Sequence, residues 1–100
     1  MTLNVEVHEI IEKLPRKGTQ IFADMLSRFA SDVVINIAHS DDCSDEEDKV
    51  KFLSAAKFAL IGVETQLLTC VRLGHLDEYD IRTALSFCDE VRTWIDIEMP

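Results

Sequence analysis

One hundred residues, 47% of them apolar, are enough for one hydrophobic core and too apolar for a disordered chain. The net charge of −9, from 19 acidic and 10 basic residues, repels phosphate backbones and excludes strong non-specific nucleic-acid binding by a lone subunit. With only 3 Gly and 2 Pro, the composition favours long helices over a turn-rich all-β fold, in one domain over residues 1–100.

The first element is a short helix. Val7, Ile10, Ile11 and Leu14 fall at i, i+3, i+4 and i+7. It ends near Leu14, because Pro15 disfavours helical geometry in its predecessor and "RKG" suits a bend. The second helix begins near Thr19. Its pairs Ile21/Phe22, Met25/Leu26, Phe29/Ala30, Val33/Val34 and Ile37/Ala38 recur every four residues and make a stripe broader than one core contact needs. Ile35 lies off that stripe. "VVINI" alone reads as a strand, but the helical period continues unbroken on its N-terminal side and excludes one.

The third helix runs from about Asp45 to Leu73, with Phe52/Leu53, Ala56, Ala59/Leu60, Val63, Leu67 and Cys70/Val71 inward. Gly62 in its middle costs up to ~1 kcal/mol relative to Ala and fits a close helix–helix approach. Gly74 stands where a left-handed C-terminal cap is expected. The fourth helix starts with Asp77 as N-cap and Leu76/Ile81 as a hydrophobic staple, and buries Ile81, Ala84/Leu85, Cys88, Val91 and Ile95. The expected fold is an all-α, up-down antiparallel four-helix bundle with a short first helix.

The stretch "AHSDDCSDEED" between the second and third helices invites a metal reading, which its chemistry does not support. A calcium loop alternates its oxygen ligands around a Gly, and a zinc site pairs several Cys or His. Here the acids are consecutive, and His39 and Cys43 have no second pair. Ser44 and Glu47 instead have capping-box spacing, and Asp45 to Asp48 suit the positive end of the helix dipole. An acidic docking patch is the functional alternative.

No catalytic, cofactor-binding or metal-ligating set emerges, and the chain reads as a non-enzyme. His8 and Glu12 make a surface pair, and His75 follows a helix end. Glu64 and Glu90 lack the Glu-x-x-His pattern of di-iron bundles. The three cysteines, Cys43, Cys70 and Cys88, have no short spacing and do not form a disulfide framework; Cys70 and Cys88 sit on apolar stripes. No signal peptide and no run approaching the ~20 apolar residues of a membrane span are present, so the expected location is the cytoplasm. Val34, Ile35, Phe87 and Trp94 are candidate oligomer contacts. Arg16, Lys17 and Arg28 are weak candidates for polyanion contact.

Four motifs bear a family likeness from Pro15 to Trp94: "LPRK" opening the second helix, "RFA…NIA" (Arg28, Ala30, Asn36, Ile37, Ala38), "VETQL" (Val63–Leu67), and "RLGHL" (Arg72–Leu76) with "DEVR" (Asp89–Arg92). In these the chain resembles the bacterial ribosomal RNA intervening-sequence protein family, also called the four-helix-bundle protein family. The resemblance implies a left-handed four-helix bundle assembling as a ring, often a pentamer. It also implies kinship with the accessory protein of diversity-generating retroelements, which works with a reverse transcriptase and nucleic acid. The family's Asn-Ile-Ala-Glu-Gly is here Asn36-Ile37-Ala38-His39-Ser40, and its often basic turn is acidic. The expected function is that of a self-associating interaction or accessory protein, with a reverse transcriptase as one candidate protein partner and no membrane contact. The alternative is a nucleic-acid-binding accessory subunit, which the net charge disfavours.

Overall fold

The computed structural model describes residues 2–99 as four helices in succession: α1 (Thr2–Lys13), α2 (Gln20–Asp42), α3 (Glu46–Arg72) and α4 (Glu78–Glu98). The stretch "VVINI" lies inside α2, and there is no strand among the described residues. Short loops turn the chain back after each helix. α2 and α4 therefore run in one direction, and α1 and α3 in the other. Each helix packs on two neighbours: α1 on α2 and α4, and α3 on α2 and α4. The particle is a rod of 45 × 21 × 19 Å.

The main core joins Val7 and Ile10 of α1, Leu26, Ala30 and Val33 of α2, Leu60, Val63, Leu67 and Cys70 of α3, and Ile81, Ala84 and Cys88 of α4. Each fully buried Leu or Ile there is worth about 1.5–3 kcal/mol against exposure. A smaller second core, Leu53 and Ala56 of α3 with Ile95 of α4, is flanked by Ile37 and Val91. Gly62 performs the role its position suggests. A Cβ there would meet Cγ of Phe29 at 2.7 Å, so the Phe29 ring of α2 lies directly on the α3 backbone.

The helix ends follow from local chemistry. α1 ends before Pro15, and Gly18 turns the chain with φ +82°. The Thr19 hydroxyl, buried, donates to the Pro15 carbonyl, so Thr19 begins α2 without a side-chain cap bond. α3 closes in a Schellman turn. Gly74 has φ +80°, its N–H donates to the Val71 carbonyl at 3.0 Å, and His75 N–H donates to the Cys70 carbonyl at 2.9 Å. The expected Ser44 cap is displaced by one residue. Asp45 is the N-cap of α3, its carboxylate accepting from Glu47 N–H at 3.1 Å. Both residue types cap well, and a carboxylate at Asp45 adds charge to the positive helix end.

At α4, Asp77 and Asp80 form a reciprocal capping box, each carboxylate accepting from the other's N–H at 3.0 Å. Asp77→Ala is expected to lower stability by about 1 kcal/mol. In a two-state domain of this size that is a drop of about 4–8 °C in the melting midpoint followed by circular dichroism. An unchanged midpoint would show that the box contributes nothing.

Two members of the α2 stripe are not covered. Ile21 is 63% exposed in the first turn, and Ala38 is exposed near the far end. The gap between α2 and α4 is also uncovered over part of its length, because α1 is short. Twelve residues span about 18 Å, whereas the 23 residues of α2 span about 35 Å. α1 therefore covers one half of the gap between α2 and α4 and leaves the other half open.

Candidate functional site

The open half is a slot. Among the described residues no Cα of α2 comes within 8 Å of one of α4, so the two helices do not close on each other where α1 stops. The slot holds a groove of about 240 Å³ lined by Ile37, Glu90, Val91 and Trp94. Ile37 and Val91 form its floor by packing on the second core. Trp94 keeps 38% of its surface exposed. At 3.6 residues per turn, Val34 and Asp41 stand one turn either side of Ile37 on the α2 wall, and Phe87 and Glu98 extend the α4 wall. Of the four residues singled out as candidate contacts, Trp94 lines the groove, and Val34 and Phe87 stand one turn outside its lining, before Ile37 and Val91. Val34 and Phe87 are half-buried, and Phe87 packs against the main core. Ile35, two residues from Ile37, is exposed on the outer face of α2.

A second apolar surface lies on α3, where Phe58, Ile61 and Leu68 are 74%, 49% and 50% exposed. Leu68 also edges a cleft of about 620 Å³ between α3 and α4, walled by Val71, Ile81, Leu85, Arg72 and Arg82 among others. The exposed cations Arg16 and Lys17 occupy the loop before α2. Arg28 is exposed more than two turns into that helix.

Glu64, His39, His75 and the three cysteines have structural partners or raised thiols. Arg92 pairs with Glu64 across α4 and α3 and donates to Asp89 at 2.9 Å, so Glu64 faces a guanidinium. His39 stacks on Phe52 with ring centroids 5.1 Å apart, and His75 packs against Phe22 at 5.8 Å. Cys88 is buried, and its thiol is pushed up to about 12, by burial first, then by Glu64 and Asp89 against the opposing Arg92. Burial also raises the Cys70 thiol. Cys43 donates to the His39 carbonyl at 3.2 Å. Its thiol is raised by desolvation and then by Asp48, Asp42 and Asp45, which disfavours the nucleophilic thiolate. Among the described residues no three His, Cys, Asp or Glu side chains are grouped to hold a metal ion, and no helix is long and apolar enough to cross a membrane.

Ion pairs pin the bundle at both ends: Lys13–Asp80 at 3.8 Å, Lys57–Asp96 at 2.7 Å and Lys49–Glu98 at 3.5 Å. Pairs this exposed contribute about 0–1 kcal/mol each. Neither the Glu64–Arg92 pair nor the His39–Phe52 stack was anticipated from sequence. Both join residues far apart in the chain, and only the register of α3 against its neighbours brings them together.

The quoted motifs meet in space. Glu64 of "VETQL" pairs with Arg92 of "DEVR", Phe29 of "RFA" covers Gly62, Ile37 of "NIA" floors the slot, and "RLGHL" is the Schellman turn. Comparison with curated proteins and with solved structures gives no match. Comparison with family models gives one over residues 1–96, described as 23S rRNA-intervening sequence protein, so the likeness extends beyond the motifs to take in α1. With nearly the whole chain matched and the motif residues serving as its helix contacts and turns, the chain belongs to the 23S rRNA-intervening sequence protein family.

Proposed function

We propose that this chain is a non-enzymatic four-helix-bundle protein that self-associates and acts as an interaction or accessory protein. The observation behind this reading is the α3 edge, where Phe58, Ile61 and Leu68 leave apolar surface in water next to the α3–α4 cleft. Large exposed apolar side chains gathered on one helix face suit an interaction site. Ile35, exposed on the outer face of α2, is a second contact for the same assembly. A ring of five is the arrangement the family resemblance implies.

Solution mass by light scattering tests the reading. The parent is expected to be oligomeric, and more so as salt screens the charge of −9 on each copy. Ile61→Asp/Leu68→Asp is expected to be monomeric with unchanged helical circular dichroism. A parent that stays monomeric at about 100 μM, a Kd worth less than about 6 kcal/mol, would refute self-association.

The alternative, a nucleic-acid-binding accessory subunit, draws on Arg16, Lys17 and Arg28, which are exposed and form no ion pair among the described residues. RNA retention that falls steeply with salt would favour it.

A further inference from the structure

The slot beyond α1 has a shape and a charge that together describe an occupant. We propose that it docks a cationic amphipathic helix from a partner chain, lying end to end with α1 and completing the fourth side of the bundle. This rests on the accessory-protein reading above and names the chemistry of the partner.

Shape gives the first argument. α1 fills the gap between α2 and α4 for about 18 Å, and roughly 15 Å of the same gap remains, room for about ten residues of helix. The helices flanking that remainder stay apart, with no Cα of α2 within 8 Å of one of α4 among the described residues. The groove lining is apolar apart from Glu90, with Ile37 on α2 facing Val91 and Trp94, about one turn apart, on α4.

Charge gives the second. Glu90 is the one ionisable side chain lining the groove. The walls lead on to Asp41 on α2 and Glu98 on α4, of which Glu98 is shared with Lys49 at 3.5 Å. α2 and α4 are parallel, so the negative ends of both helix dipoles lie at the mouth of the slot, next to exposed Asp42. The positive start of α3 at this end is covered by Asp45, Glu46, Glu47 and Asp48. A helix with Lys or Arg around an apolar stripe satisfies both surfaces. A second copy fits less well. It carries the same net charge, and a copy of α1 would bring Glu6, Glu9 and Glu12 to an acidic mouth. RNA would meet an apolar floor, Glu90, and a Lys49 already paired with Glu98.

Trp94 is the single tryptophan of the chain, so its emission reports on the slot. The probe is a helical peptide of about 12 residues with leucines at i, i+3, i+4 and i+7 and lysines elsewhere. Titration is expected to shift Trp94 emission to the blue, with affinity that falls as salt rises. The same peptide with Glu for Lys is expected not to bind. Glu90→Lys/Asp41→Lys, at two exposed positions, is expected to weaken binding about tenfold with helical content unchanged.

Three results would overturn the proposal: no response to the lysine peptide, equal binding of the two peptides, or displacement of the bound peptide by RNA. A blue shift with rising protein concentration alone would also overturn it, by giving the slot to a second copy. Repeating the titration on Ile61→Asp/Leu68→Asp separates the two readings. Unchanged binding by that variant upholds the slot whether or not the parent self-associates.

Discussion

Val33→Asp is expected to unfold the domain. Val33 has no accessible surface and lies mid-way along α2, at the centre of the main core. The substitution removes an apolar contact and puts a carboxylate into a core of Leu, Ile, Val, Ala and Cys side chains. An unpaired charge in such surroundings costs several kcal/mol, and the alternative, a neutral unbonded acid, still costs about 2 kcal/mol or more. A domain of this size has about 5–15 kcal/mol in total. Loss of the helical circular dichroism signal at 25 °C, or a midpoint lowered by more than about 20 °C, is the expected reading. Leu67→Asp makes the same change from α3, also at a position with no accessible surface, and should have the same effect. If either variant melts with the parent, the inward faces of α2 and α3 are wrongly assigned.

Gly62→Leu is expected to be the next most damaging change. The space for a side chain is occupied by the near end of the Phe29 ring, with Cγ at 2.7 Å and both Cδ atoms at 2.8 Å from a Cβ. Those atoms are close to the α2 backbone and cannot swing clear as a side-chain tip would. Either the helices separate or Phe29 leaves its rotamer, and overpacking of this kind costs about 1–3 kcal/mol. The helix-propensity gain over Gly, about 0.8–1.0 kcal/mol, offsets part of that. Adding Phe29→Ala should recover a share, so that the double variant loses less than the sum of the two single changes in urea melts. Simple additivity would mean that the ring and Gly62 do not constrain each other.

These predictions mark what a single sequence can and cannot reveal. The number of helices, the end of α1, the start of α2, both ends of α3, the start of α4 and most of the inward faces are legible, because they depend on local periodicity, on Pro15 and Gly74, and on cap-forming residues such as Asp77. Gly62 was legible as a point of close approach. Phe29 as the group approaching it was not, because that depends on how far α2 slides along α3. The cap of α3 was placed one residue early, since Ser44 and Asp45 are adjacent cap formers and only the backbone decides between them.

The slot shows the same division. The α2 stripe is broader in sequence than one core contact needs, and Val34, Ile35, Phe87 and Trp94 read as candidate contacts. That Ile37 and Trp94 line one opening requires the relative lengths and placement of α1, α2 and α4. The Glu64–Arg92 pair has no sequence signal at all across 28 residues.

The short first helix also makes the molecule uneven along its axis. The end built on Leu53, Ala56 and Ile95 has three helices around a small core, whereas the other end has four around a large one. Cooperative opening follows the depth of packing, so amide protons near Leu53 and Ile95 exchange through excursions of lower free energy than those near Val63 and Cys88. The half of the rod that bears the vacant berth is therefore also the half that yields first, and whatever settles there acts as a clamp on its fluctuations.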